Sequence, residues 1–95
     1  MSSYAVLWSE ARRGVETGKL ELEPTSIRFE GVNVYRVYYE DIEGVRIGHD
    51  ARERLAGRPA VVVDLLEGGP LRIGSVNGLG TIAELADELT RLSVR

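Results

Sequence analysis

His49, Asp50 and Glu53 are the one place in this 95-residue chain where side chains able to move a proton or hold a metal lie close together in sequence. An imidazole titrates near neutral pH, and an adjacent carboxylate can orient it as a general base or share a metal ion with it. A typical zinc set needs further nitrogen or sulfur ligands, and the chain has one histidine and no cysteine. The same three residues also fit a strand-end histidine beside a charged, solvated loop, which is the more economical reading. Nucleophilic catalysis finds no better footing. Ser9, Ser26, Ser75 and Ser93 lie in no nucleophile-elbow motif, and a single histidine would have to serve any of them. The expectation is a protein that is not an enzyme and holds no metal or cofactor.

Residues suited to binding are easier to find. Arg12, Arg13 and Lys19 gather basic charge around what reads as the first hairpin, and could receive anionic headgroups or an acidic partner. Glu10 and Glu16 flank them, so an ordinary solvated hairpin explains them as well. Asn77-Gly78-Leu79-Gly80 precedes a helix but has neither the dinucleotide fingerprint nor the lysine of a phosphate loop. A turn leading into a cap accounts for it. Trp8, Tyr35, Tyr38 and Tyr39 are of the types that dominate interface hot spots and also of the types that fill β cores. Tyr38 stands out, because it alternates away from Tyr35 and Tyr39 and a small barrel cannot bury both faces of that strand.

The elements that must position these residues follow from hydrophobic period. Lys19-Leu20-Glu21-Leu22-Glu23 alternates strictly, the mark of a half-buried antiparallel strand. Pro24-Thr25-Ser26 turns the chain. Ile27 and Phe29 then point inward from Ser26–Glu30, completing a hairpin. Tyr4–Glu10 predicts a first strand, and Gly14 and Gly18 punctuate the segment after it. Val34–Glu40 places Tyr35, Val37 and Tyr39 on one face. Asp41–Gly44 breaks that strand, and Val45, Ile47 and His49 share a side of the next. Asp50–Arg58 fits either a loop or a single helical turn. Ala60–Leu66 is the most apolar run and reads as a central strand. Glu67-Gly68-Gly69-Pro70 connects it to a last strand beginning at Leu71. Thr81 with Glu84 fits a capping box. The apolar residues Ile82, Leu85, Ala86, Leu89 and Leu92 recur at helical spacing behind it.

Composition sets the outer bounds. The length suits one domain spanning 1–95, and an apolar fraction of 43% with 28% charged residues is that of an ordinary globular body rather than a disordered one. The net charge of −3, with arginines interleaved among acids, argues against nucleic acid. The absence of cysteine, of an apolar stretch long enough to span a membrane, and of a basic leader favours a cytoplasmic protein.

Three local patterns resemble the pleckstrin-homology-like (PH-like) superfamily, specifically bacterial PH and GRAM-like domains. They are Gly18-Lys19-Leu20-Glu21-Leu22 leading into Ile27-Arg28-Phe29, the corner Tyr39-Glu40-Asp41-Ile42-Glu43-Gly44-Val45, and the glycine-flanked helix entry Gly78-Leu79-Gly80-Thr81. The resemblance implies a mainly β (α+β) fold. It would be a partly open barrel of about seven antiparallel strands in two nearly orthogonal sheets, capped by one C-terminal α-helix. It also implies a non-catalytic module that binds a protein or peptide partner, or forms a homo-oligomer through a sheet edge. Anionic lipid is the alternative ligand. The lipid-binding pattern calls for an arginine where this chain has Glu21, and a carboxylate there would repel the phosphate a guanidinium should grip.

Overall fold

The computed structural model describes residues 3–10, 14–76 and 79–93. Seven strands and one helix follow in the order β1 (Ser3–Glu10), β2 (Glu16–Leu22), β3 (Ser26–Glu30), β4 (Val34–Tyr38), β5 (Ile42–Gly48), β6 (Ala60–Leu65), β7 (Leu71–Ser75) and α1 (Leu79–Ser93). The fold is therefore mainly β with a single C-terminal helix, as the alternation and the helical stripe require. All strands are antiparallel and belong to one continuous sheet in the order β4-β3-β2-β1-β7-β6-β5. The two-sheet arrangement gives way to one sheet because β1 is long enough to pair with β2 along one edge and β7 along the other, from Val6↔Ser75 to Glu10↔Leu71. The sheet ends at β4 and at β5, and no ladder joins those two among the described residues.

Alternation predicts the inner face. Leu20, Leu22, Ile27, Phe29 and Val37 enter one core with Val6, Trp8, Val61, Val63, Leu71 and Ile73. Trp8 and Tyr35 pack on either side of Phe29 at ring-centroid distances of 4.9 Å and 5.7 Å, both tilted. Gly18 lies inside β2 rather than at a break. A Cβ there would sit 2.0 Å from the Glu30 carbonyl oxygen, so only glycine lets β3 approach so closely.

Helix α1 lays Ile82, Leu85, Ala86 and Leu89 on the β5–β6–β7 half of the sheet. It begins at Leu79, so Thr81 lies within the first turn instead of capping it, and residues 77 and 78 lie outside the described residues. The break after β4 also falls earlier than Asp41–Gly44. A single 3-10 turn over Tyr39–Asp41 makes the corner, and β5 starts at Ile42. Tyr39 fixes that corner: its ring is buried and its hydroxyl donates to the Glu23 carbonyl at 2.6 Å.

Residues 50–58 combine both alternatives and add a third feature. Asp50 carbonyl accepts from the amides of Glu53 and Arg54, making one helical turn. Leu55 and Arg58 then exchange backbone hydrogen bonds across a tight reversal, with Ala56 at φ 54° and Gly57 at φ 76°. The whole segment forms a strap across the outer face of β5–β7. Leu55, 2% exposed, sits beneath it against Gly74, and Val62 on the outer side of β6 is 1% exposed. Arg72 donates from Nη1 to the Arg52 and Arg54 carbonyls at 3.4 Å and 2.9 Å, tying the strap down. Gly48 makes the closure possible, since a Cβ there would meet Glu53 Cβ at 2.5 Å and Val62 Cγ2 at 2.8 Å.

Candidate functional site

The residues that could do chemistry are drawn apart by the strap. His49 lies beyond the end of β5 and is exposed, so it does not share the inward side with Val45 and Ile47. Its carbonyl accepts from Arg54 Nε at 2.8 Å. Glu53 turns under the strap to pair with Arg46, which also lies 3.6 Å from Asp64. That pairing holds the Arg46 guanidinium above its already high range, Glu53 contributing first as hydrogen-bond acceptor and then by its charge. A carboxylate committed in this way does not orient His49. Among the described residues no three His, Asp or Glu side chains are grouped to hold a metal ion.

Of the basic hairpin, only Lys19 falls among the described residues. Arg12 and Arg13 lie outside the described residues. Lys19 projects from the outer face of β2 and is claimed by Glu21 at 2.7 Å, with Glu30 at 3.9 Å. The hydrogen bond to Glu21 and then its charge raise the lysine's pKa, and the same hydrogen bond lowers that of Glu21. Arg28 pairs with Glu30 at 2.9 Å and Arg36 with Glu23 at 3.2 Å. The outer face of β2–β4 is thus a lattice in which each described cation meets a carboxylate. Alternation puts the charges on one face, where Lys19–Glu21 and Arg28–Glu30 pair two residues apart along a single strand and only Lys19–Glu30 follows the cross-strand register.

Tyr38 emerges where its position on β4 predicts, 47% exposed on the outer face. It borders a hollow of about 430 Å³ together with Pro24, Thr25, Glu40 and Leu92, between the β2–β3 turn and the end of α1.

A second concavity of about 400 Å³ opens along β4 itself. Tyr35, Arg36 and Val37 form one wall, and Leu65, Leu66 and Glu67 at the end of β6 form the other, with Glu10 and Asp41 at its ends. Three consecutive strand residues can line one cleft only if the strand turns its backbone edge toward it, because side chains alternate. The far wall is held in place by the Leu66 amide, which donates to the Asp41 carbonyl at 2.9 Å. A smaller hollow of about 240 Å³ continues past Glu10 and Tyr35 to Val34, Asn33 and Glu16. Leu66 and Val34 are 58% and 52% exposed. Sequence reasoning passed over Glu10, Asp41 and Glu67 because they come from three separate segments. Glu10 ends β1, Asp41 ends the 3-10 turn and Glu67 lies two residues beyond β6, and only the fold brings the three together.

No known family's sequence model matches the chain, and no curated protein matches it in sequence. In three dimensions it is similar to the crystal structure of the C-terminal domain of an unknown protein from Leishmania infantum. The TM-score is 0.76 at 12% identity, covering 100% of this chain and 84% of that one. At that identity the likeness is one of fold alone. Among the described residues no helix is long and apolar enough to cross a membrane.

Proposed function

We propose that the chain is a non-catalytic interaction module of PH-like type that engages a protein or peptide partner through the free edge of β4. The observation that carries this reading is the edge itself. β4 ends the sheet, its outer backbone row faces an open cleft, and exposed Val34 and Tyr38 flank it. Natural sheets blunt such edges with proline, bulges or covering elements. The chain does cover the outer face of β5–β7 with its strap, and it leaves β4 bare. The order of seven strands before one helix supports the PH-like part of the reading, and the lack of cysteine fits a cytoplasmic setting. Lys19, locked to Glu21, weakens the anionic-lipid alternative.

The test is photo-crosslinking in cells of the organism, with benzoylphenylalanine in place of Tyr38 or Val34 and, as a control, of Ala83 on the exposed side of α1. A discrete adduct at the two β4 positions and none at Ala83 is expected. Equal labelling at all three positions, or none at any, would sink the reading.

A further inference from the structure

We infer that the strap carries a second contact surface, one that binds a short acidic segment of a partner protein through Arg52, Arg54 and Arg58. It lies on the other half of the sheet from β4 and stands or falls independently of that edge. The first observation is where the unmatched cations are. Lys19, Arg28, Arg36, Arg46 and Arg91 each meet a carboxylate. Arg52, Arg54, Arg58 and Arg72, the remaining cations among the described residues, form no ion pair there. All four belong to the strap or to the side chain that ties it down. The residues outside the described ones hold no aspartate or glutamate that could match them, and Arg12 and Arg13 could only add positive charge.

The second observation is how Arg54 is held. Its amide donates to the Asp50 carbonyl at 3.0 Å and its carbonyl accepts from Arg72 Nη1 at 2.9 Å, so its backbone is fixed on both sides. Its Nε donates to the His49 carbonyl at 2.8 Å. That bond orients the guanidinium and leaves both Nη nitrogens without a partner among the described residues. A fork held in this way offers a carboxylate two parallel hydrogen bonds with little further ordering. Arg52, two residues earlier, and Arg58, across the tight reversal from Leu55, are exposed on the same strap.

The third observation is how far the positive field extends. Arg46, Arg52, Arg54, Arg58 and Arg72 set against Asp50, Glu53 and Asp64 leave this patch at +2 in a chain of net charge −3, so everything else carries −5. A membrane plane or a nucleic-acid strand reaching past the patch would meet that opposing charge within a screening length of about 8–10 Å. An acidic segment of a few residues stays inside it. A lone anion would leave most of the arginines unmet, whereas carboxylates at short intervals along one chain meet several at once.

The experiment uses the whole chain and rhodamine-labelled octapeptides in which serine alternates with glutamate, glutamine or lysine. Fluorescence anisotropy should show binding of the glutamate peptide only, weakening as salt rises from about 0.05 M to about 0.5 M. Arg52→Gln/Arg58→Gln should weaken it at least about fivefold, the loss of two exposed ion pairs. Arg54→Lys, which keeps the charge and loses the fork, should weaken it as well. Arg36→Gln, on the other half of the sheet, should leave it unchanged. Circular dichroism checks folding. The side chains of Arg52 and Arg58 donate no hydrogen bond among the described residues, so their double variant remains readable if Arg54→Lys loosens the strap. Equal binding of the glutamine peptide, full binding by the double variant or by folded Arg54→Lys, or an equal loss in Arg36→Gln overturns the inference. So does no binding of any peptide. Binding of phosphatidylserine vesicles or of single-stranded DNA that the double variant abolishes, without binding of the glutamate peptide, overturns it by giving the patch a different occupant.

Discussion

β6 and β4 are short strands of one sheet, and their surroundings differ on every side. β6 has its inner valines, Val61 and Val63, in the core, and Val62 on its outer side is sealed beneath the strap. Strands β5 and β7 pair with both of its edges. β4 has one buried face, one face of ion pairs and exposed side chains, and one bare edge. The half of the sheet around β6 carries a helix inside and a strap outside, so its contribution is to hold the fold. The half ending at β4 is kept soluble by charge rather than by cover. A surface that must stay available can be matched ionically without being occluded, and exposed ion pairs add little to stability.

The largest effect expected comes from removing the cover. Leu55→Ala empties a site 2% exposed under the strap and should destabilise by about 2 kcal/mol in urea unfolding, toward the low end for buried leucine because the strap can settle into the space. A loss under about 0.5 kcal/mol would mean that the strap merely rests on the sheet, and the contrast between halves would collapse.

A pH effect should arise at the corner that joins the halves. Burial, followed by the neighbouring Glu23 charge, pushes the Tyr39 phenol from 10.0 up to about 12. Between those values the unfolded chain releases its phenolic proton and the folded chain keeps it. The associated stability is therefore complete below pH 10.0 and is lost as pH rises through about 12. Unfolding midpoints measured across that window should fall in the parent chain. Tyr39→Phe should show less of that slope, from a lower starting stability because the hydrogen bond to the Glu23 carbonyl is gone. Parallel slopes in the two proteins would place the corner in contact with water.

A gain of about 0.5–1 kcal/mol is expected for Ala56→Asn, read as a rise in thermal midpoint. Ala56 sits at φ 54°, a region that penalises a methyl side chain and that asparagine tolerates in a two-residue reversal. No gain would mean that the strap relaxes at little cost. The smallest effect belongs to the other half: Lys19→Ala should leave the urea midpoint unchanged within error, because its partners stay hydrated on an open face. A clear destabilisation would show that the lattice holds the fold, and the two halves would then be alike.

The inner face of the sheet was legible residue by residue. Leu20, Leu22, Ile27, Phe29 and Val37 alternate with charges, and period two leaves only one way to bury them. The strap was not, because Leu55 is a lone apolar residue among arginines and local pattern gives it no face. A hint lay elsewhere: Val61-Val62-Val63 is apolar on both sides of a strand, so something had to cover the outer side. The helix starts two residues before Thr81, at Leu79, although Thr81 and Glu84 make a good local cap. The corner moved because Tyr39 has a buried carbonyl to bond, which strand propensity cannot express. Tyr38 was legible from alternation alone. The cleft along β4 was not, since it exists only once β1 has brought Glu10 between β4 and the β6–β7 connection.

That placement of β1 also governs how the chain reaches its fold. Its partner β7 lies some sixty-odd residues away in sequence, Val6 opposite Ser75 and Glu10 opposite Leu71. The seam that unites the two halves can zip only after β7 has been synthesised. Folding of this kind carries a large loop-closure cost before its long-range contacts form, and proceeds in milliseconds to seconds rather than microseconds. Until the seam closes, the β7-facing edge of β1 and the β1-facing edge of β7 are unsatisfied. During that interval the strands present four open edges, at β4, β1, β7 and β5, where the mature sheet keeps two, at β4 and β5.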